Sequence, residues 1–296
     1  MARRDFLTLL DCSPEELKSI IARGTELRGM TEQPRSLTGK SAVLLFQLNS
    51  TRTRVAFEVG LAELGGHAVV LSPKDSQFGR GEPVEDTARV LSEMVDAVII
   101  RSPSQALLEQ FAAAASVPVI NAMSERFHPC QLLADIQTFE ELRGPIEGRT
   151  VAFVGDGYNM CHSYINAARQ WGFHLKIASP EGYRPDPEIL KTTNNAELVA
   201  SAEQAVTGAD LVVTDVWSSM GHEEEHARRM AAFADYQVNE TLLDRAADDV
   251  LFMHCLPAHR GEEVSHTLID DPRSCVFREA GNRLHSQKAL LEFLLA

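Results

Sequence analysis

Short apolar runs alternate along the whole chain with longer segments of helical periodicity. In the first half, "SAVLLFQL", "HAVVLSP", "DAVIIRS" and "VPVINA" read as strands. Between them, Arg54–Leu64, "VEDTARVLSEM", "QALLEQFAAAA" and "HPCQLLADIQTFEEL" place apolar residues at the spacing of one helix face. The turn-rich "RGPIEG" interrupts this pattern, which restarts with "RTVAFVGDG", "FHLKIASP", "ADLVVTDVW", "DVLFMHCL" and "SCVF" as strands. "NRLHSQKALLEFLL" closes the chain as an amphipathic helix, and Ser13, Pro14 and Glu16 open it as N-cap, first helical residue and capping-box partner. Apolar strands alternating with helices predict parallel sheets covered on both faces. The expected fold class is α/β, with two doubly wound domains at residues 1–143 and 144–281 and helix 282–296 packing back on the first. Such sheets gather ligands at the C-terminal ends of their strands, so the expected active site is a cleft between the two domains.

One strand-to-helix handover breaks the pattern. In "LLFQLNSTRTRVAFEVG", Ser50, Thr51, Arg52, Thr53 and Arg54 cluster where the strand gives way to the helix. A helix N-terminus presents unpaired N–H groups and a partial positive charge. Hydroxyls add hydrogen bonds, and an arginine clamps phosphate through two parallel N–H groups. The plain reading is an N-cap with solvated arginines; a small phosphate ligand is the reading preferred, because anions bind readily at such termini. Net charge agrees. With 28 basic and 42 acidic side chains the chain carries −14, and a local basic cluster on an acidic protein fits a small anion. Nucleic acid would need a broad basic face. No apolar run approaches a membrane span, and "MARRDFLTLLDCSPEEL" is no export signal. Cys12, Cys130, Cys161, Cys255 and Cys275 are scattered without paired spacing, which points to reduced thiols and the cytoplasm.

Other polar residues fall just past strand ends. They are Gln77 in "KDSQFGRGEP", Arg101 after "AVII", His128–Gln131 opening the long helix, Asn159 after "VAFVGDG", Asp215–Met220 after "LVVT", and His254–Leu256 after "VLFM". Each alone has an ordinary account: Arg101 as a surface residue, His128 as a helix-start histidine. Their shared placement is informative, since strand ends are where such sheets collect ligand groups.

The motifs "STRTR", "HPCQLLAD", "DVWSSMG" and "HCLPAHRGEEV" occur in this order. With them the chain resembles the ornithine carbamoyltransferases, from "FLTLLDCSPEEL" to "NRLHSQKALL". The first two motifs are shared across the aspartate/ornithine carbamoyltransferase superfamily; the last two point to its ornithine branch. The resemblance implies transfer of the carbamoyl group of carbamoyl phosphate to the δ-amine of L-ornithine, giving L-citrulline and phosphate in arginine biosynthesis. It implies that Ser50, Thr51, Arg52 and Thr53 hold the phosphate, joined by Gln77, often from a neighbouring subunit. Arg101 and His128 would face the carbonyl, where donors stabilise the oxyanion of a tetrahedral intermediate; Pro129 and Cys130 belong to the same motif. Gln131 and the carbonyls of Cys255 and Leu256 would accept from the carbamoyl NH₂, and Arg283 is the remaining contact. Asn159, Asp215, Ser219 and Met220 would hold the amino acid, with Asp215 on the α-ammonium and the "SMG" loop closing over the cleft. Arg101, His128, Asp215 and Cys255 form the implied catalytic set, with Cys255 orienting the amine and no covalent intermediate. A homotrimer, or a multiple of trimers, and no cofactor are implied as well. Relatives often carry two asparagines after the glycine–aspartate turn; here Tyr158 replaces the first, so only Asn159 is carried over. A carbamoyltransferase for another amine such as putrescine, and a silent carbamoyl phosphate-binding protein, remain the alternatives.

Two sequence patterns mislead. "VAFVGDGYNM" imitates a dinucleotide fingerprint, but Met160 stands at the third glycine, and "LKIASP" ends without an acid for a ribose hydroxyl. "HEEEH", His222 to His226, matches the zinc-protease pattern. Yet Gly221 breaks the helix before it, and "EEEHARR" reads as a solvated charged face. His254, Cys255 and His259 have no standard metal spacing either, so no metal is expected.

Overall fold

The computed structural model describes residues 3–72, 81–217 and 223–296. Gln77, Ser219, Met220 and His222 lie outside the described residues. The chain divides into two units, 1–137 with 281–296, and 138–280.

In the first unit, α1 (Pro14–Gly29) starts as its sequence dictates. The Ser13 hydroxyl accepts from the Glu16 N–H, and the Glu16 carboxylate accepts from the Ser13 N–H at 2.8 Å. Then follow β1 (Ser41–Phe46), α2 (Thr51–Glu63), β2 (His67–Leu71), α3 (Val84–Ser92), β3 (Ala97–Arg101), α4 (Gln105–Ala114), β4 (Val119–Met123) and α5 (Pro129–Arg143). The four strands form a parallel sheet in the order β2-β1-β3-β4. Val43, Leu45, Val98, Ile100 and Val119 of this sheet join Ala88, Leu108, Phe111 and Ala112 of α3 and α4 in one apolar core. The chain runs from β1 outward to β2 and returns to β3 on the other side of β1. Strand order therefore reverses at β1/β3, where α/β sheets place ligands. Residues 281–296 are tied to this unit by polar contacts. Arg23 donates to Glu292 at 2.7 Å, and the fully buried Lys288 ammonium donates to Glu63 and Gln33 at 2.6 and 2.8 Å.

The second unit contains β5 (Thr150–Val154), α6 (Asn159–Trp171), β6 (His174–Ala178), α7 (Pro187–Leu190), β7 (Ala196–Leu198), α8 (Ala202–Val206), β8 (Leu211–Thr214), α9 (Glu223–Ala232), α10 (Glu240–Leu243) and β9 (Leu251–His254). Its parallel sheet has the order β7-β6-β5-β8-β9, with the reversal at β5/β8. Val154, Val212 and Phe252 pack with Ala205, Val206, Leu242, Leu243 and Leu268. "SCVF" is not a strand. Ser274 forms a single bridge to Phe252, and at Val276 the chain enters α11 (Val276–Leu295). One bridge fits the geometry: the Phe252 N–H donates to Arg273 and the Cys275 N–H donates to Phe252, after which no backbone pairing remains before the helix. β7, a three-residue edge strand with a half-exposed face, was not expected from the sequence.

Candidate active site

The anion motif folds as a capped helix start. Ser50 is the N-cap of α2 and its hydroxyl accepts from the Thr53 N–H, so "TRTR" is the first helical turn itself. Arg54 turns outward to Glu58 at 2.8 Å and Thr51 is exposed, which leaves Arg52 and the buried Thr53 on the inner side. The Arg283 guanidinium donates to the Thr53 hydroxyl at 3.0 Å and to the Gln131 amide oxygen, while the Gln131 NH₂ donates to Asp135 at 2.9 Å. Thr53, Gln131, Asp135 and Arg283 are all buried. Arg101 ends β3 opposite Phe46 of β1, so it stands at the β1/β3 reversal.

The charges of these arginines also act on His128. Burial, then the charges of Arg283, Arg101 and Arg52, hold its imidazole well below the ordinary histidine range. A neutral ring among three guanidiniums donates one N–H without adding a fourth positive charge. Cys130 in the next turn is a packing residue: burial pushes its thiol up to about 12, and its Sγ donates to the Asn121 carbonyl. A stability prediction follows from His128. The unfolded chain takes up this proton near pH ~6.5 and the native protein only well below it. Acidification below about pH 6.5 therefore favours unfolding through this residue, and the contribution is fully present above that pH. Urea midpoints of the wild type should drop between pH 7 and 5, and the drop should be smaller in His128→Gln.

In the second unit the strand ends collect a second group. Thr214 at the end of β8 donates its hydroxyl to the Val154 carbonyl of β5 at 2.6 Å, closing the β5/β8 reversal just before Asp215. Asp215 accepts from its neighbour's N–H (Val216, 2.8 Å) and from the Cys255 thiol at 3.1 Å. Asn159 opens α6 and is buried, with Tyr158 exposed beside it. The "GDG" glycine that imitates a nucleotide loop has another reason to exist. A Cβ on Gly157 would lie 2.2 Å from the Pro185 backbone nitrogen, so only glycine admits that close approach.

The "HCLP" loop is held by buried carboxylates. The Leu256 N–H donates to His254 Nδ1 at 2.9 Å, which leaves the ring proton on Nε2 and directs it to Glu263 at 3.1 Å. The His254 and Glu263 side chains have no exposed surface, and the His254 N–H donates to the buried Glu279 at 3.0 Å. His254 thus positions the loop. Leu256 sits at φ 54°, a left-handed conformation that a leucine adopts only when its surroundings fix it.

Sequence reading missed Asp156 and Arg229. "EEEHARR" is not wholly a solvated face: Arg229 donates to Asp156 at 2.6 Å and to the Trp217 carbonyl at 2.8 Å, and lies 4.8 Å over the Tyr183 ring. Burial raises the Asp156 carboxyl to about 6 against the pull of Arg229, and the nearby Asp215 charge adds to the rise.

Residues 4–141 match the aspartate/ornithine carbamoyltransferase carbamoyl-P binding domain, and residues 147–294 match the Asp/Orn binding domain of the same family. The chain belongs to the aspartate/ornithine carbamoyltransferase family. It is 58% identical to an ornithine carbamoyltransferase of Chromohalobacter salexigens, over 100% of this chain and 98% of the relative. It is 55% identical to the anabolic ornithine carbamoyltransferase of Pseudomonas aeruginosa, over 100% and 98%. Among solved structures it resembles the ornithine carbamoyltransferase from Pyrococcus furiosus at a TM-score of 0.96 and 45% identity, over 99% and 97% of the two chains. Within the carbamoyltransferase frame, "STRTR" and "HPCQ" fall in the carbamoyl-P match and "HCLP" in the Asp/Orn match. Arg283 crosses that division: its sequence belongs to the second match, yet it bonds Thr53 and Gln131 in the first unit.

Proposed function

We propose that this chain transfers the carbamoyl group of carbamoyl phosphate to the δ-amine of L-ornithine, giving L-citrulline and phosphate, in arginine biosynthesis. The observation that carries this reading is the buried bond of Arg283 to Thr53 in the first turn of α2, with Arg52 on the same turn and Arg101 at the β1/β3 reversal of the same sheet. The phosphate dianion is held by the Ser50–Thr53 turn and Arg52. Arg101 and the His128 N–H lie where negative charge develops on the carbonyl oxygen. Asp215 binds the α-ammonium of ornithine, with Asn159 beside it and Ser219 and Met220 completing recognition. The neutral δ-amine attacks the carbonyl carbon, the C–N bond forms as the C–O bond breaks, and the proton shed by the attacking nitrogen leaves on the phosphate.

Cys255 does not attack. Its S–H is directed at the Asp215 carboxylate, so a thiolate there would face a second anion. Purified protein should form citrulline from ornithine at a far higher kcat/KM than it carbamoylates putrescine. Initial-rate lines should intersect, and mass spectrometry of enzyme with carbamoyl phosphate alone should find no adduct on Cys255. A ligand-binding protein without turnover, or a preference for putrescine, would overturn the assignment. Ping-pong kinetics with a Cys255 adduct would overturn direct attack.

We also propose that the chain works as a homotrimer in the cytoplasm, with Gln77 serving a neighbouring subunit. What supports an assembly is apolar exposure on the first unit. Val55 and Val59 stand one turn apart on α2, Val90 lies on α3, and Met94 just beyond α3 is 70% exposed. Single apolar residues on a surface are ordinary, but pairs in helical register mark a face that something covers. Val55→Asp/Met94→Asp should run as a smaller species on analytical ultracentrifugation and lose most activity. An unchanged sedimentation coefficient would count against this surface.

A further inference from the structure

Three buried donor atoms in the second unit meet with no hydrogen-bond partner among the described residues: His259 Nδ1, Glu262 Oε2 and Glu263 Oε2. All three lie within 4.8 Å of one another. His259 Nδ1 is 3.5 Å from Glu262 Oε2 and 3.9 Å from Glu263 Oε2, and His226 Nε2 of α9 stands 3.7 Å from Glu262 Oε1. The Glu263 side chain has no exposed surface, and its other oxygen is already taken by the His259 N–H and by His254 Nε2. Burying a carboxylate oxygen without a partner is costly, and two such oxygens aimed at one space repel each other.

We propose that His259, Glu262 and Glu263 form a three-ligand site for a divalent transition metal of the zinc type, with His226 alongside on the other oxygen of Glu262. The separations fit such an ion better than a proton. The 3.9 Å gap between His259 and Glu263 exceeds hydrogen-bond reach. A metal about 2.0–2.2 Å from each donor holds tetrahedral ligands roughly 3.3–3.6 Å apart. The two carboxylates carry −2, which a divalent ion neutralises, and the His259 nitrogen completes the set. Nitrogen donors favour zinc, cobalt or nickel over magnesium and calcium. The other convergence of ligand types in this unit, Asp215, His254 and Cys255, is internally satisfied: both ring nitrogens of His254 are engaged and Cys255 donates to Asp215. The metal at the new site would pin the 259–263 turn. Through Glu263 it would bear on His254 and the loop that positions Leu256. Neither "HEEEH" nor the His254/Cys255/His259 trio forms this site. It takes only His259, from the second of them.

The test is equilibrium dialysis of the whole protein against zinc chloride, followed by metal analysis, in a Cys255→Ala background that removes the competing thiol. One zinc per chain is expected, together with a rise in melting temperature on zinc addition. His259→Gln and Glu262→Gln in that background should each weaken zinc binding at least tenfold and abolish the zinc-dependent rise, with the metal-free melting temperature unchanged. Glu262→Ala, at a part-exposed position, repeats the test should either of the others fold poorly. Absence of stoichiometric zinc in Cys255→Ala, or zinc affinity unaltered by these substitutions, would overturn the proposal.

Discussion

Arg101→Ala is expected to lower kcat by about two to three orders of magnitude, the usual cost of removing one donor from a developing oxyanion. Its position explains the size of the effect. Arg101 ends a strand whose other four residues are buried, at the point where the order of the first sheet reverses, so its backbone is held by the fold before substrate arrives. Arg52 occupies the first turn of α2, where a phosphate dianion meets backbone N–H groups as well. Arg52→Ala should therefore cost a single charge-assisted contact, about 1.5–3 kcal/mol, read as a roughly ten- to hundredfold rise in the carbamoyl phosphate dissociation constant. Calorimetric titration gives the binding change and single-turnover rates give the chemical step. If both variants lose binding alike and keep kcat, the division of labour between the two arginines is wrong.

Asp215→Ala should do comparable damage to the other substrate. The carboxylate receives the Cys255 thiol and the Val216 N–H, so removing it loses the ammonium partner and also releases the "HCLP" cysteine. A charged contact is worth about 1.5–3 kcal/mol, so ornithine KM should rise about ten- to a hundredfold from that alone, with kcat falling as the amine loses its orientation. Carbamoyl phosphate affinity, measured without ornithine, should change less than about twofold. Asp215→Asn separates charge from shape: it retains an acceptor for Cys255 but not the negative charge. If Asn restores wild-type ornithine KM, ammonium pairing is not the role of this residue.

The two parallel sheets were legible because their strands are apolar for nearly their whole length, a pattern that only a doubly covered sheet produces. The start of α2 was less so. Sequence periodicity begins at Arg54, whereas the Ser50 cap starts the helix at Thr51 and draws the arginines into its first turn. "SCVF" looked like a strand because Cys, Val and Phe favour sheets, but the backbone pairs only around Ser274 and then follows the helical periodicity of what comes next. Individual polar residues at strand ends were readable from placement. Their partners were not. Arg229 sits in a run of charges that hides it among solvated neighbours, and its partner Asp156 lies 73 residues away. Glu263 is one of two consecutive acids, and nothing local says which of them turns inward to receive His254.

The bond from Arg283 to Thr53 joins residues 230 apart in sequence. During synthesis this ordering has a temporal meaning, because chains emerge from the N-terminus and domains fold as units when they can. One apolar cluster of the second unit has all its residues by Val276, whereas the first unit still lacks Arg283, Lys288 and Glu292 at that moment. The unit that begins first is thus the last to be finished. With Arg283 in the role proposed for it, a nascent chain would hold no complete receptor for carbamoyl phosphate before this helix is made.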